Sequence, residues 1–420
     1  MNKIICIYTV FAVIATLLSL PLYAGDVFVI TSVTADKQTT VTAGGSDFLN
    51  VVQQALEATG PFAPLENKAS TSVLEYGGAK NAMQFEINRN GTEATLTIPS
   101  TGFQETFKAA NRNLLYNQIN NFFQNQGRSE YKKFLEQMNR QSTVAVSDGN
   151  PNSTTALVAK TSFQDAGFGG EDSITKALDM DAINLSLMAG AGQFSSRGID
   201  GRMYSLPLGY SVELTDRVGA KFRMPVSYVK VEDATIYNGS ILLNVPVKVF
   251  LPGNESAKEE AGGSWLAPLS WSLTPTLGMA GGGSQDYRAG SVMYIMGLAS
   301  MLNYDFGPFG LTLGNQLTAL KGLSIGNYDV GARVDQQILK NGLKVTVPFY
   351  DRWVAEVYGI HTAFLQEAAV GNYFTLGVQG GMRLFGDARS ESGLVLLGLY
   401  SEVGSNYRSF SLRLGSGFRF

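Results

Sequence analysis

Along the second half of the chain, apolar and polar residues trade places one by one. Tyr204, Leu206, Leu208, Tyr210, Val212 and Leu214 alternate with Ser205, Pro207, Gly209, Ser211 and Glu213. After Thr215-Asp216 the phase resumes with Val218, Ala220, Phe222, Met224, Val226 and Tyr228, against Gly219, Lys221, Arg223, Pro225 and Ser227. A period of two puts one set on each face of a β-strand. Such runs recur to the end, the last being Phe410, Leu412, Leu414, Phe418 and Phe420 against Ser411, Arg413, Gly415, Gly417 and Arg419. Many reach 12 to 15 residues, whereas strands of soluble proteins average ~5–6. About a dozen residues at ~3.3 Å each, tilted by ~40°, cross an apolar layer ~25 Å thick. The other face, of Gly, Ser, Thr and charge, suits a wet or tightly filled lumen. Aromatic residues gather near run ends (Tyr204, Tyr228, Trp271, Tyr294, Tyr304, Phe309, Phe418, Phe420), where a bilayer has its interfaces. The pattern predicts a mainly β chain with an antiparallel transmembrane β-barrel over 182–420.

Thirteen runs can be counted from 183 onward, but bacterial single-chain barrels have even strand numbers. Asn341-Gly342 has the form of a hairpin turn, yet the runs beside it alternate poorly. Either 327–350 is one irregular strand or 183–195 stands outside the wall. The expectation is about 12 strands, with 10 and 14 as alternatives. Counting back from a periplasmic C-terminus places the longest loop, 251–267, outside the cell.

The first half reads differently. Asp26 to Val33 is strand-like. Ser46-Asp47 is a helix start, with Phe48, Val51, Val52, Ala55 and Leu56 on one face, and Gly60-Pro61 ends it. Met83, Phe85 and Ile87, then Ala94, Leu96 and Ile98, alternate around the hairpin signal Asn90-Gly91. Phe103, Phe107, Ala110, Leu114, Ile119, Phe122 and Phe123 recur at helical spacing, and a second helix carries Tyr131, Phe134, Leu135 and Met138. Ser142 to Thr161, rich in Ser, Thr, Asn and Gly, reads as a linker. These features predict a small soluble α+β domain over 25–145 and a linker with a lumen helix over 146–181.

Composition adds location. Met1 to Lys3 is a short basic start, Ile4 to Leu20 is almost wholly apolar, and Ala24 offers a small residue before Gly25. That is the form of a secretory signal peptide over 1–24; the alternative is an uncleaved anchor. Cys6, the one cysteine, falls within it, so no disulfide is expected. No later stretch approaches the ~20 apolar residues of a helical span, so a membrane form of this chain has to be a barrel. The net charge of −3 does not suggest nucleic acid.

Little chemistry is encoded. His361, the one histidine, has no nucleophile or carboxylate at a recognisable spacing and reads as a structural wall or lumen residue. No His/Cys metal pattern or calcium loop is present, and Gly170-Glu171-Asp172 reads as a polar turn. No cofactor and no enzyme activity are expected. By phase, Lys221, Arg223, Lys248, Arg383, Arg413 and Arg419 face the lumen against Glu213. They either pair with acidic loops or a plug, such as Glu171-Asp172 and Asp179 to Asp181, or give the lumen a mild preference for anions. Pro207, Pro225 and Pro246 share that face and are expected near strand ends or bulges.

Arg413, Gly415, Phe418 and Phe420 resemble the C-terminal signature of bacterial outer-membrane barrels, which guides recognition by the barrel-assembly machinery. Residues 160–420 resemble an autotransporter translocator domain, with about twelve strands after a lumen helix. Asp172 to Asp181, with Ile174, Ala177 and Leu178, is the candidate helix. The short upstream region lacks the β-helix repeats of a large passenger, so the chain is most similar to the solitary autotransporter-like barrels. The resemblance implies an integral protein of the cell outer membrane, reached after Sec-type export, with a structural, surface-display or transport role. Its implied partners are outer-membrane lipid, the barrel-assembly machinery and periplasmic chaperones. A porin-like channel with a mildly anion-favouring lumen is the alternative, and a barrel enzyme the third reading.

Overall fold

The computed structural model describes residues 26–170, 174, 185–250, 269–323, 334–349, 352–385 and 392–419. The signal-peptide segment and all of Asp172 to Asp181 except Ile174 lie outside them.

Six strands form the N-terminal sheet: β1 (Phe28–Thr34), β2 (Thr40–Gly45), β3 (Ser70–Tyr76), β4 (Ala79–Ile87), β5 (Glu93–Ile98) and β6 (Phe103–Lys108). They pair antiparallel in the order β2-β1-β3-β4-β5-β6. Helices α1 (Phe48–Glu57), α2 (Arg112–Asn121) and α3 (Arg128–Gln141) accompany the sheet. Asp47 caps α1 by accepting from the Asn50 amide at 2.9 Å. That satisfies one of the donors a helix start leaves open. Phe48, Val51, Val52, Ala55 and Leu56 are all buried. The segment 103–108 is a strand, not the start of a helix. Phe103 and Phe107 face inward because both pack on Phe122, each at 5.4 Å between ring centroids. A four-residue spacing of aromatics fits either period, and pairing with β5 decides it.

The barrel staves are β7 (Leu185–Ser196), β8 (Ile199–Thr215), β9 (Val218–Val231), β10 (Ala234–Asn244) with β11 (Val247–Phe250), β12 (Leu269–Ser284), β13 (Ala289–Asp305), β14 (Gly310–Gly322), β15 (Asp335–Phe349), β16 (Trp353–Phe364), β17 (Asn372–Phe385), β18 (Ser392–Gly404) and β19 (Tyr407–Arg419). β10 and β11 share one place in the ring, both pairing with β9 and β12 around the interruption at Pro246. β19 pairs with β7, so the sheet closes as a 12-strand antiparallel barrel. Asn341-Gly342 makes no turn. Residues 335–349 form one continuous strand, and the 185–196 segment is in the wall.

Register fixes which end is which. Leu185 at the start of β7 pairs with Phe418 near the end of β19, and Ser196 pairs with Tyr407. Phe250 pairs with Trp271, close to the turn that joins β13 to β14. The ends of the 251–268 connection therefore lie at the same end of the barrel as Arg419. This reverses the side expected for that loop, because residues 335–349 are one strand where two runs were counted, so one crossing fewer separates the loop from the C-terminus. Pro207 and Pro225 stand opposite one another in the interiors of β8 and β9, not at strand ends.

Candidate functional site

The barrel is inside out relative to a soluble protein. Apart from Leu114, every exposed large apolar side chain among the described residues belongs to the barrel segment; Leu376 is 64% and Ile241 61% exposed. Its buried side chains include Arg223, Gln316, Lys340, Lys344, Glu356 and Glu402. Water disfavours such an outer face, and a bilayer matches it. On β13 the outward residues run Tyr294, Met296, Leu298, Ser300, Leu302, Tyr304. Ten residues at ~3.3 Å, tilted by ~40°, separate the two tyrosines by about 25 Å, the height of an apolar band. Tyr204, Tyr228 and Tyr237 form an aromatic row toward one edge, at 5.9 and 5.4 Å. Tyr304, Phe306 and Phe309 cluster at the other, at 4.5 and 4.7 Å. His361 packs 4.8 Å from the ring of Phe374, which is 57% exposed. It therefore faces out of the barrel.

The lumen holds a helix. Residues Thr154–Asp165, α4, lie in the stretch that reads as a linker. The helix contacts β10, β12, β14 and β15, and its buried residues lie all round it: Thr154, Ala156, Val158, Ser162 and Asp165 among them. A helix inside a polar tube needs polar residues on its buried faces, so the usual apolar stripe is missing. The bonds are specific. Thr154 Oγ1 donates to Asn238 Oδ1 at 2.6 Å. The Lys160 ammonium meets Glu402 at 2.5 Å and lies 4.2 Å above the Tyr400 ring. Asp165 accepts from Arg223 Nε at 2.6 Å and from the Asn244 amide at 2.9 Å. Its carbonyl accepts from Lys221 at 3.0 Å.

Beyond α4 the chain continues along the lumen. Phe163 and Phe168 stack at 4.8 Å. Phe168 lies over Gly314 and Gly342, which pair across β14 and β15. A Cβ on either glycine would come within 2.7 or 2.5 Å of its ring. Lys344 donates to the Gly167 carbonyl at 2.9 Å and pairs with Glu356 at 3.2 Å. Gln379 donates to the Gly170 carbonyl at 3.4 Å, and Ile174 sits against Gly381. The space left beside the helix is a cavity of ≈ 40 Å³, with a second of ≈ 10 Å³. These volumes hold a few water molecules.

At the other end of α4 the chain enters the N-terminal domain through a buried neck. Asp148 accepts from Thr155 at 2.7 Å and from Gln336 at 3.0 Å, and burial pushes its carboxyl above the usual range despite those donors. The Val370 amide donates to the Gly149 carbonyl at 2.9 Å. Domain and barrel then share one core, which takes in Phe194, Ile199, Val231, Tyr287 and Tyr407 from the barrel end.

The predicted lumen residues divide. Arg223 and Lys221 hold Asp165, and Arg413 donates to the Tyr400 hydroxyl at 2.9 Å over its ring. Glu213 and Lys248 are exposed toward the C-terminal rim, and the Arg383 amide donates to the Arg352 carbonyl at 2.9 Å. In the C-terminal signature, Gly415 lies against Leu396 and Met188. Phe418 and Arg419 end β19, and Phe420 lies outside the described residues. Lys160, Glu402, Lys344 and Glu356 are lumen residues the alternation reading did not single out. Glu356 and Glu402 stand at inward positions of weaker runs, which is the signal that could have found them.

The sequence matches no family model and no curated protein sequence. Among solved structures the chain is similar to the translocator domain of autotransporter NalP from Neisseria meningitidis, at 15% identity and a TM-score of 0.39 over 64% of this chain and 98% of that one. It is also similar to the transport unit of the autotransporter AIDA-I from Escherichia coli, at 10% identity and a TM-score of 0.38 over 59% and 97%. An outer-membrane channel from Pseudomonas putida F1 matches at 13% identity and a TM-score of 0.39 over 57% and 97%.

Proposed function

We propose that the chain is an integral outer-membrane barrel that displays its N-terminal domain, residues 26–141, at the cell surface. The observation that carries this reading is the single passage through the lumen. The domain packs on the end of the barrel that holds the β7–β8 and β18–β19 turns. The chain then runs inside to the opposite end, where β7 starts. Twelve strands bring it back to that second end, so the domain and the end of β19 lie on opposite sides of the membrane. Taking the signature Arg413, Gly415, Phe418 and Phe420 as periplasmic places the domain outside. Outer-membrane lipid, the barrel-assembly machinery and periplasmic chaperones are the partners this route requires.

An epitope tag inserted at Asp36 to Gln38, in the exposed turn after β1, tests the sidedness. Antibody labelling of intact cells is the expected result. Labelling only after permeabilisation of the outer membrane would overturn it. Deleting Phe420 should lower the amount of assembled barrel and leave export across the inner membrane intact.

A porin-like channel is the weaker reading, because α4 occupies the lumen and is bonded to its wall through Asn238, Glu402, Arg223 and Asn244. A barrel enzyme has less support still. His361 faces outward beside Phe374, away from the buried carboxylates of the lumen.

A further inference from the structure

We infer that the barrel wall has a lateral aperture at Pro225, between β9 and β10, through which the end of one alkyl chain of a membrane lipid reaches the cavity beside α4. This goes beyond the display reading, which decides only the leaflet that supplies the chain.

The first observation is a break in the backbone ladder. Pro207 and Pro225 pair across β8 and β9. In an antiparallel ladder, alternate residues bond to alternate neighbours. These two therefore turn their ring nitrogens away from each other, Pro207 toward β7 and Pro225 toward β10. Neither nitrogen carries a hydrogen to donate, and pairing fails on both flanks. Strands β7 and β8 pair at Leu187–Leu208 and again at Gly190–Ser205, but not between. Strands β9 and β10 pair at Val226–Gly239 and again at Arg223–Leu242, but not between. Inter-strand bonds are what close a barrel wall in lipid, so the wall is weak here.

The second observation is the path of the cavity. Val226 faces outward from β9, 56% exposed, and Gly239, its partner on β10, shares that face. Both line the ≈ 40 Å³ cavity, together with Pro225, the inward Met188 and Met203, and Leu157 of α4. A cavity beside a lumen helix meets outward-facing residues only by passing between strands. The mouth is open at Gly239, where a Cβ would meet nothing within 4 Å.

The third observation is depth. Tyr204 and Tyr228 pair three positions from the two prolines. At ~3.3 Å per residue and a tilt of ~40°, the break lies ~8 Å from the aromatic row, inside the apolar band. Leu206, Met224 and Ile241 are exposed around it on the lipid side. The neighbour at that depth is hydrocarbon, not headgroup or water. Charged groups that border the cavity are engaged, Arg223 with Asp165, Lys160 with Glu402 and Arg413 with Tyr400. The volume equals about three groups of water size, and a methylene is of similar size. It admits the last carbons of one chain and excludes a headgroup.

The test uses the full-length mature protein in liposomes containing a phosphatidylcholine with a diazirine at the end of one chain. Illumination and peptide mapping should find the label on Met188, Met203 or Leu157 as well as on outward side chains. Gly239→Leu adds a lipid-facing side chain at the mouth, and it should remove the interior label while outward labelling persists. Pro225→Val keeps an apolar side chain of similar size and restores an N–H toward β10. It should lose the interior label too. Wild-type labelling confined to outward side chains overturns the inference. So does interior labelling that stays at the wild-type level in either assembled variant.

Discussion

The ring of Tyr287, in the turn between β12 and β13, lies edge-on to Phe28 of β1 with their centroids 5.2 Å apart. The Tyr76 hydroxyl donates to the Tyr287 carbonyl at 3.0 Å. Tyr287 is fully buried, so a barrel turn completes the core of the N-terminal domain. A domain finished in this way is fixed to the rim, and its stability includes the barrel's contribution.

Tyr287→Ala should therefore destabilise the domain and not the barrel. Removing a buried aromatic typically costs about 3–5 kcal/mol. Limited proteolysis of the assembled protein should show residues 26–141 cleaved much faster than in the wild type, with the strands still protected. Unchanged cleavage of the domain would count against a shared core.

Domain docking should also depend on pH. Glu232, in the turn between β9 and β10, is desolvated and stands near Asp26, Asp200 and Asp233, which together push its carboxyl from 4.5 up to about 7. Lys230 offsets Asp233 nearby at 3.4 Å. A carboxyl with a raised pKa in the docked state favours docking fully below 4.5. That contribution declines between 4.5 and about 7 and is gone above. Proteolytic protection of the domain should accordingly fall between pH 5 and pH 8. Glu232→Gln should hold it near the acid level throughout, and a mutant that keeps the wild-type slope would exclude this carboxyl as the cause.

The Asp165–Arg223 pair anchors α4 to the wall. Breaking one side of a buried pair typically costs about 3–5 kcal/mol. Asp165→Ala removes the carboxylate that Arg223 Nε meets at 2.6 Å, and it should lower the unfolding temperature more than the double change Asp165→Ala with Arg223→Met. Planar-bilayer recordings should show larger or more frequent openings for the single variant. Equal stabilities for the two proteins would show that the pair does little to hold the plug.

The socket for Phe168 gives a separable test. Gly342→Val puts side-chain atoms where the ring lies, so it should destabilise the assembled protein, and Phe168→Ala should recover part of the loss. A double-mutant cycle measures the coupling, expected at about 0.5–3 kcal/mol for groups in contact. Simple additivity of the two changes would mean that the ring and the glycine do not share the site.

How much of this was legible depends on how far apart in sequence the deciding residues are. The barrel strands read directly, because lipid on one side and a polar interior on the other impose a period of two on each run. Helix α1 read directly as well, from Asp47 and the five apolar positions behind it. Helix α4 did not. The segment from Thr154 to Asp165 carries Thr, Ser, Gln and Asp on its buried faces, and polar content ordinarily marks a linker. Asn341-Gly342 misled for a related reason. The pair has turn chemistry, but Gly342 is small because Phe168, far away in sequence, covers it. The docking of Tyr287 on Phe28 joins residues of opposite halves, and local pattern carries no trace of it.

The segment through the lumen has a mechanical consequence. Its N-terminal end carries a folded domain of over a hundred residues, with a radius of gyration near 13 Å. The bore is already filled by one helix about 10 Å across. The domain therefore acts as the stopper on a threaded ring, and the thread cannot be drawn back toward the C-terminal side while it stays folded. Withdrawal requires the domain to unravel or the β7–β19 seam to part. The order of events in assembly follows: the domain must pass the ring as an extended chain, or reach its own side before that seam closes.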